Sequence, residues 1–161
     1  RTACIQHRTA ILYSFLSVPG FRIRTLTKHI RQVMTMVKGI GIDAVAIKDI
    51  AELLERTTKG VVSRVFTQGE LSAAQEKTNP AEYLASRFAV KEAAFKAIAP
   101  RLPDKGFDYR RIETRNHEDG SPYIYVDEFL STILNRAEIT TLFVSITTAG
   151  DMATAFVVAE S

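Results

Sequence analysis

The chain has 161 residues, 46% apolar and 24% charged, which fits one packed domain and excludes a disordered chain. No run reaches the roughly 18 apolar residues that a membrane span requires. The net charge of +3 is unevenly placed: residues 1–35 hold Arg1, Arg8, Arg22, Arg24, Lys28 and Arg31 with no acid, whereas the remainder carries 15 basic and 18 acidic residues. The folded part therefore has no compositional sign of nucleic-acid binding. The single cysteine, Cys4, excludes an intrachain disulfide and a multi-cysteine metal site. It agrees with a reducing compartment, and the cytoplasm is the expected location.

Residues 1–35 are acid-free, rich in Arg and Thr, and lack a sustained period. They read as a basic N-terminal extension, for which three origins compete: a targeting peptide, an ordered arm, or sequence upstream of a natural start at Met34 or Met36. The last is preferred, because the compact pattern begins at Met36. Val37 to Ile47 reads as a strand with β-branched enrichment. A short helix follows over 48–56, with Ile50, Leu53 and Leu54 at helical spacing. A second helix is expected over about 67–77, where Thr67 and Glu70 make a capping-box pattern. The longest helix runs from about Pro80 to Ile98. Asn79 caps it, Pro80 suits its first turn, and Pro100 ends it. Leu84, Phe88, Phe95 and Ile98 form its expected apolar stripe. Ile112 to Asn116 pairs with Tyr123 to Val126 across Asp119-Gly120, and Leu142 to Thr147 pairs with Ala153 to Ala159 across Ala149-Gly150-Asp151.

Two acids stand out. Asp43 ends the run Gly39-Ile-Gly-Ile on an apolar strand. A lone buried carboxylate costs several kcal/mol unless paired or bound to a cation. The glycines admit close approach of another backbone or a ligand. The simpler reading is that Asp43 caps the following helix. Glu92 borders the apolar stripe of the long helix, with Lys96 beside it four residues on. Arg87 and Lys91 make a neighbouring basic column, which on an arbitrary helix is a solvated face. Taken together, a carboxylate on a strand, another on a helix, and nearby lysine and arginine suit Mg²⁺ with phosphate.

The segment Gly39-Ile-Gly-Ile-Asp43 is similar to the opening motif of the 4′-phosphopantetheinyl transferases. Arg87-Phe-Ala-Val-Lys-Glu-Ala-Ala-Phe-Lys96 resembles their second motif, a Lys-Glu pair followed four residues later by Lys. Arg64-Val-Phe-Thr-Gln-Gly-Glu-Leu71 resembles the linking motif, and Ser145 to Glu160 the C-terminal hairpin. The resemblance covers residues 36–161, and the short length points to the holo-[acyl-carrier-protein] synthase branch. It implies an α+β fold: a single lobe with a long helix packed on a mainly antiparallel sheet. It also implies homotrimers with active sites between subunits. Asp43 and Glu92 are then the Mg²⁺ ligands, and Asp43, Glu92 and Lys96 the catalytic set. Lys91, Lys96, Arg87, Arg101 and Thr148 contact coenzyme A. Arg56 and Arg64 dock the acidic acyl carrier protein. A carrier serine attacks the β-phosphate of coenzyme A, and adenosine 3′,5′-bisphosphate leaves.

Three positions depart from the family pattern. Thr148 stands where a His usually follows the Ser-x-Thr run, here Ser145-Ile-Thr147, and it brings no charge to a phosphate. Ala99-Pro100-Arg101 replaces a glycine-rich turn whose amides approach phosphate, and Pro100 has no N–H. Asp49 replaces a basic residue near the start of the first helix. The competing reading is a catalytically impaired relative that binds a carrier protein or nucleotide. A further one is nucleic-acid binding through the basic extension. His117, in a polar turn, is expected at the surface.

Overall fold

In the computed structural model, residues 35–56, 59–104 and 106–161 are described. The expectations for residues 1–34, Cys4 included, fall outside the described residues. The elements are β1 (Val37–Ala46), α1 (Ile47–Arg56), α2 (Lys59–Val62), α3 (Gln68–Gln75), α4 (Pro80–Ile98), β2 (Glu113–Asn116), β3 (Pro122–Tyr125), α5 (Glu128–Arg136), β4 (Thr141–Ala149) and β5 (Met152–Glu160). Short 3₁₀ turns cover Ala99–Arg101 and Tyr109–Arg111. β1, β5 and β4 form one antiparallel sheet in that order, with β5 central; β2 and β3 form a separate hairpin.

The sheet and α4 meet through small residues. β5 turns Ala153, Ala155, Val157 and Ala159 inward, all fully buried, and α4 answers with Ala89, Ala93 and Ala97. On β1 the approach is closer still. A Cβ at Gly39 would lie 2.0 Å from the Ala97 carbonyl oxygen, and one at Gly41 would lie 1.8 Å from that of Ala93. Real Cβ atoms do not approach backbone that closely, so only glycine allows this strand to seat on this helix. The expected stripe is corrected here: Leu84 and Ile98 are buried, but Phe88 and Phe95 are only partly so. The buried face is the alanine face, because a Gly/Ala strand leaves no room for large side chains.

Local signals fixed the helix starts. Asn79 Oδ1 accepts from the Glu82 amide at 3.1 Å, with Pro80 next. Thr67 and Glu70 form the capping box at 3.2 and 3.0 Å, and α3 ends at Gln75. α5 has no counterpart among the expected elements; Asp127 caps it by accepting from the Leu130 amide at 2.8 Å. Both hairpin turns contain a glycine at positive φ, Gly120 at 86° and Gly150 at 61°. His117 is exposed and stacks on Tyr123 as a surface residue. None of the described helices is long and apolar enough to cross a membrane.

Candidate active site

Side chains alternate along a strand, so Asp43 follows Gly39 and Gly41 onto the face that meets α4. Its partner is Lys96 rather than the amides of α1: Lys96 Nζ lies 2.7 Å from Asp43 Oδ1 and also donates to the Ile42 carbonyl at 3.1 Å. The Asp43 side chain is 19% exposed and that of Lys96 49% exposed. A pair this accessible is worth about 1 kcal/mol or less, so a stronger ligand readily displaces it.

Glu92 lies one helical turn before Lys96, half-buried on the same edge of α4. Lys96 does not pair with it but reaches across to Asp43. No described lysine or arginine forms an ion pair with Glu92. Its neighbour is Tyr109, whose phenol is pushed above its ordinary pKa by burial first and by the Glu92 carboxylate second. Two carboxylates and one lysine thus gather where β1 crosses α4. A hollow of about 440 Å³ lined by Phe95, Lys96, Ala99 and Pro100 opens beside them.

The structure gives Lys91 a setting different from the phosphate contact and the solvated column expected of it. Its side chain is fully buried and lies 2.9 Å from Glu70 Oε2. Nζ also donates to the carbonyls of Arg110, at 2.9 Å, and Ile112. An ammonium has three protons, and these three partners take them. Burial lowers its pKa against the opposing pull of Glu70. Glu70 in turn accepts from the Thr114 amide at 3.2 Å, so one buried pair ties α3, α4 and β2 together.

Arg87 is likewise buried, at 4% exposure. Its Nη2 donates to Asn116 Oδ1 at 2.5 Å, and its guanidinium lies 4.1 Å from the Tyr83 ring centre. No carboxylate pairs with it among the described residues, and its buried Nε has no partner. Ser86, Tyr83 and Thr148 line a hollow of about 360 Å³ beside it. Arg101 is exposed in the 3₁₀ turn after α4. Arg56 is exposed and pairs with Glu52 at 3.3 Å on α1. Arg64 is exposed in the turn after α2. Another hollow, about 580 Å³ and lined by Leu54, Val62, Leu71 and Leu84, contains none of Asp43, Glu92 or Lys96.

Asp43 and Lys96 are therefore in contact, with Glu92 one turn away. Arg87 and Lys91 point to the β2 side. Tyr109 and Asn116 are not singled out by sequence: Tyr109 lies outside the expected elements, and Asn116 reads only as the end of the strand 112–116. Glu70 was visible only as a capping residue.

The model of the 4′-phosphopantetheinyl transferase superfamily matches residues 39–157, a span that contains Asp43, Glu92 and Lys96. The chain belongs to the 4′-phosphopantetheinyl transferase superfamily. Over 123 residues it is 38% identical to a holo-[acyl-carrier-protein] synthase of Thermodesulfovibrio yellowstonii, covering 76% of this chain and 98% of that one. The crystal structure of the Neisseria meningitidis holo-[acyl-carrier-protein] synthase matches with a TM-score of 0.69 at 32% identity, covering 78% of this chain and all of that one. A Bacillus anthracis holo-(acyl-carrier-protein) synthase, solved in complex with CoA (3′,5′-ADP), matches with a TM-score of 0.60 at 28% identity, covering 78% and 98%. The expected phosphopantetheinyl transferase family, the α+β fold and an enzyme of the holo-[acyl-carrier-protein] synthase type are borne out by these relatives.

Proposed function

We propose that this chain transfers the 4′-phosphopantetheine of coenzyme A to a serine of an apo acyl carrier protein, with Mg²⁺, and releases adenosine 3′,5′-bisphosphate. The observation that carries this is the meeting of Asp43 and Lys96 across the glycine–alanine seam, with Glu92 one turn away and paired to no described cation. No group of three or more His, Cys, Asp or Glu suited to a metal occurs among the described residues. Two carboxylates fit Mg²⁺, which takes one or two and completes its shell with water and substrate phosphates. Asp43 and Glu92 would hold it, and when bound it neutralises pyrophosphate charge.

The chain's own residues supply the rest. Lys96, released from Asp43, stabilises charge developing on the phosphate oxygens. The serine oxygen forms the new bond to the β-phosphorus. The bond to the bridging oxygen breaks, and that oxygen leaves on adenosine 3′,5′-bisphosphate. Glu92, or a water that it orients, takes the serine proton. Arg87, with an unpaired buried charge beside the Ser86–Thr148 hollow, and Arg101 are the further contacts for coenzyme A phosphates; Thr148 offers a hydroxyl. Lys91 acts by holding the scaffold. Arg56 and Arg64 face solvent for an acidic carrier protein.

Assembly belongs to the same reading. The outer face of the sheet is apolar: Ile40, Ile42, Phe143 and Phe156 are 57, 59, 53 and 41% exposed. Register aligns Ile40, Val158 and Phe143 in one row and Ile42, Phe156 and Ser145 in the next. Such a patch marks an interface, which suits a homotrimer with sites between subunits. The domain proper is residues 36–161. Thr148 and Pro100 favour the second reading, an impaired relative that binds without transfer. Release of adenosine 3′,5′-bisphosphate from coenzyme A, given apo carrier protein and Mg²⁺, separates the two. Transfer requires release that Asp43→Ala and Glu92→Ala abolish; binding without release supports the impaired relative.

A further inference from the structure

Arg87 reaches from α4 to the β2–β3 hairpin and is gripped there by neutral groups. Its Nη2 donates to Asn116 Oδ1 at 2.5 Å and its Nη1 to Ser86 Oγ at 3.4 Å, while the guanidinium lies 4.1 Å from the Tyr83 ring centre. A guanidinium carries five N–H donors. The buried Nε is left without a partner, and among the described residues no carboxylate forms an ion pair with Arg87. The Asn116 amide is oriented from its other side. Its Nδ2 donates to the Gly120 carbonyl at 2.6 Å. That turn is closed by the Gly120 amide on the His117 carbonyl at 3.0 Å and by the His117 amide on the Ser121 carbonyl at 2.9 Å. With the nitrogen end committed to the turn, the oxygen end faces Arg87.

A carboxylate at position 116 would hold the same guanidinium more strongly, but it would cancel the charge and offer no proton to Gly120. An amide holds the guanidinium and cancels nothing. We propose that Asn116 is a positioning residue for Arg87: it fixes the guanidinium from the hairpin turn and leaves the positive charge whole for a phosphate of coenzyme A. This rests on the reading of Arg87 as a coenzyme A contact. A hydrogen bond to a charged group of this kind corresponds to about a 10- to 100-fold change in affinity. Asn116 is itself exposed, so it can be replaced without opening the core.

The test is calorimetric binding of coenzyme A to the full chain, with melting curves and transfer kinetics in parallel. Asn116→Asp sets a countercharge on Arg87, whereas Asn116→Leu removes both hydrogen bonds and adds no charge. Asn116→Asp is expected to bind coenzyme A about 100-fold more weakly than wild type and Asn116→Leu about tenfold more weakly, although Asn116→Asp melts at the higher temperature of the two. In transfer, the loss is expected in KM for coenzyme A rather than in kcat. Arg87→Gln, the control for the underlying reading, is expected to lose at least as much affinity as Asn116→Leu. Affinity within about twofold of wild type in Asn116→Asp overturns the proposal alone. So does affinity that follows melting temperature, with Asn116→Leu the weaker binder, since Asn116 is then only structural. If Asn116→Asp does not fold, wild-type affinity in Asn116→Leu overturns the proposal instead. Wild-type affinity in Arg87→Gln, or a wild-type chain that binds no coenzyme A, overturns the Arg87 reading and this proposal together.

Discussion

Lys91 and Lys96 lie five residues apart on α4 and meet opposite environments. Lys91 is sealed from water against Glu70, whereas Lys96 is half exposed against Asp43. Breaking a buried pair from one side strands a charge and costs about 3–5 kcal/mol, although replacing both partners by apolar residues is often neutral. Lys91→Met is therefore expected to destabilise the fold by about that much, and Glu70→Leu with Lys91→Met to recover most of it; urea unfolding measures both. Lys96→Ala is expected to change stability by about 1 kcal/mol or less while lowering kcat by about 10²- to 10³-fold. Equal effects of Lys91→Met and Lys96→Ala on stability contradict the assignment. The sequence contains both lysines at family spacing, which is why both were expected on phosphate. What it does not display is that Glu70, placed by its capping box, also reaches Lys91. That contact depends on how α3 packs on α4.

At the level of elements, β1 lies against α4 because Gly39 and Gly41 let backbone meet backbone. Gly41→Ala puts a methyl 1.8 Å from the Ala93 carbonyl oxygen, which neither backbone can yield to cheaply. The expected cost is about 3 kcal/mol or more, at or beyond the usual range for overpacking. Asp43, two residues on, is expected to shift with the strand. Gly41→Ala should therefore lose transfer activity even where it folds; a variant with wild-type melting and turnover contradicts this. The ends of α4 were legible in Asn79, Pro80 and Pro100, because caps and breakers act locally. Its buried face was not, because large residues such as Phe88 and Phe95 carry the periodicity while small ones make the contact. α5 does carry a local signal in Asp127 and in Phe129, Leu130, Ile133 and Leu134 at helical spacing, and is nonetheless missing from the expected elements.

For the whole molecule, the exposed rows on β1, β5 and β4 call for a partner, and a second copy of the chain fits the family expectation of trimers. Ultracentrifugation is expected to show trimers, and Ile42→Asp with Phe143→Asp to yield monomers with little activity; a fully active monomer contradicts intersubunit sites. Sequence made the Asp43–Glu92–Lys96 set legible through its spacing, whereas the reach of Lys96 across to Asp43, rather than to Glu92 on its own helix, emerges only in three dimensions. The most direct measurement of the central claim is the mass of several apo acyl carrier proteins after incubation with the chain, coenzyme A and Mg²⁺. At least one is expected to gain a phosphopantetheine group on serine, with the gain abolished by chelator and by Asp43→Ala or Glu92→Ala. No gain on any carrier, with the chain shown to be folded and coenzyme A intact, contradicts it.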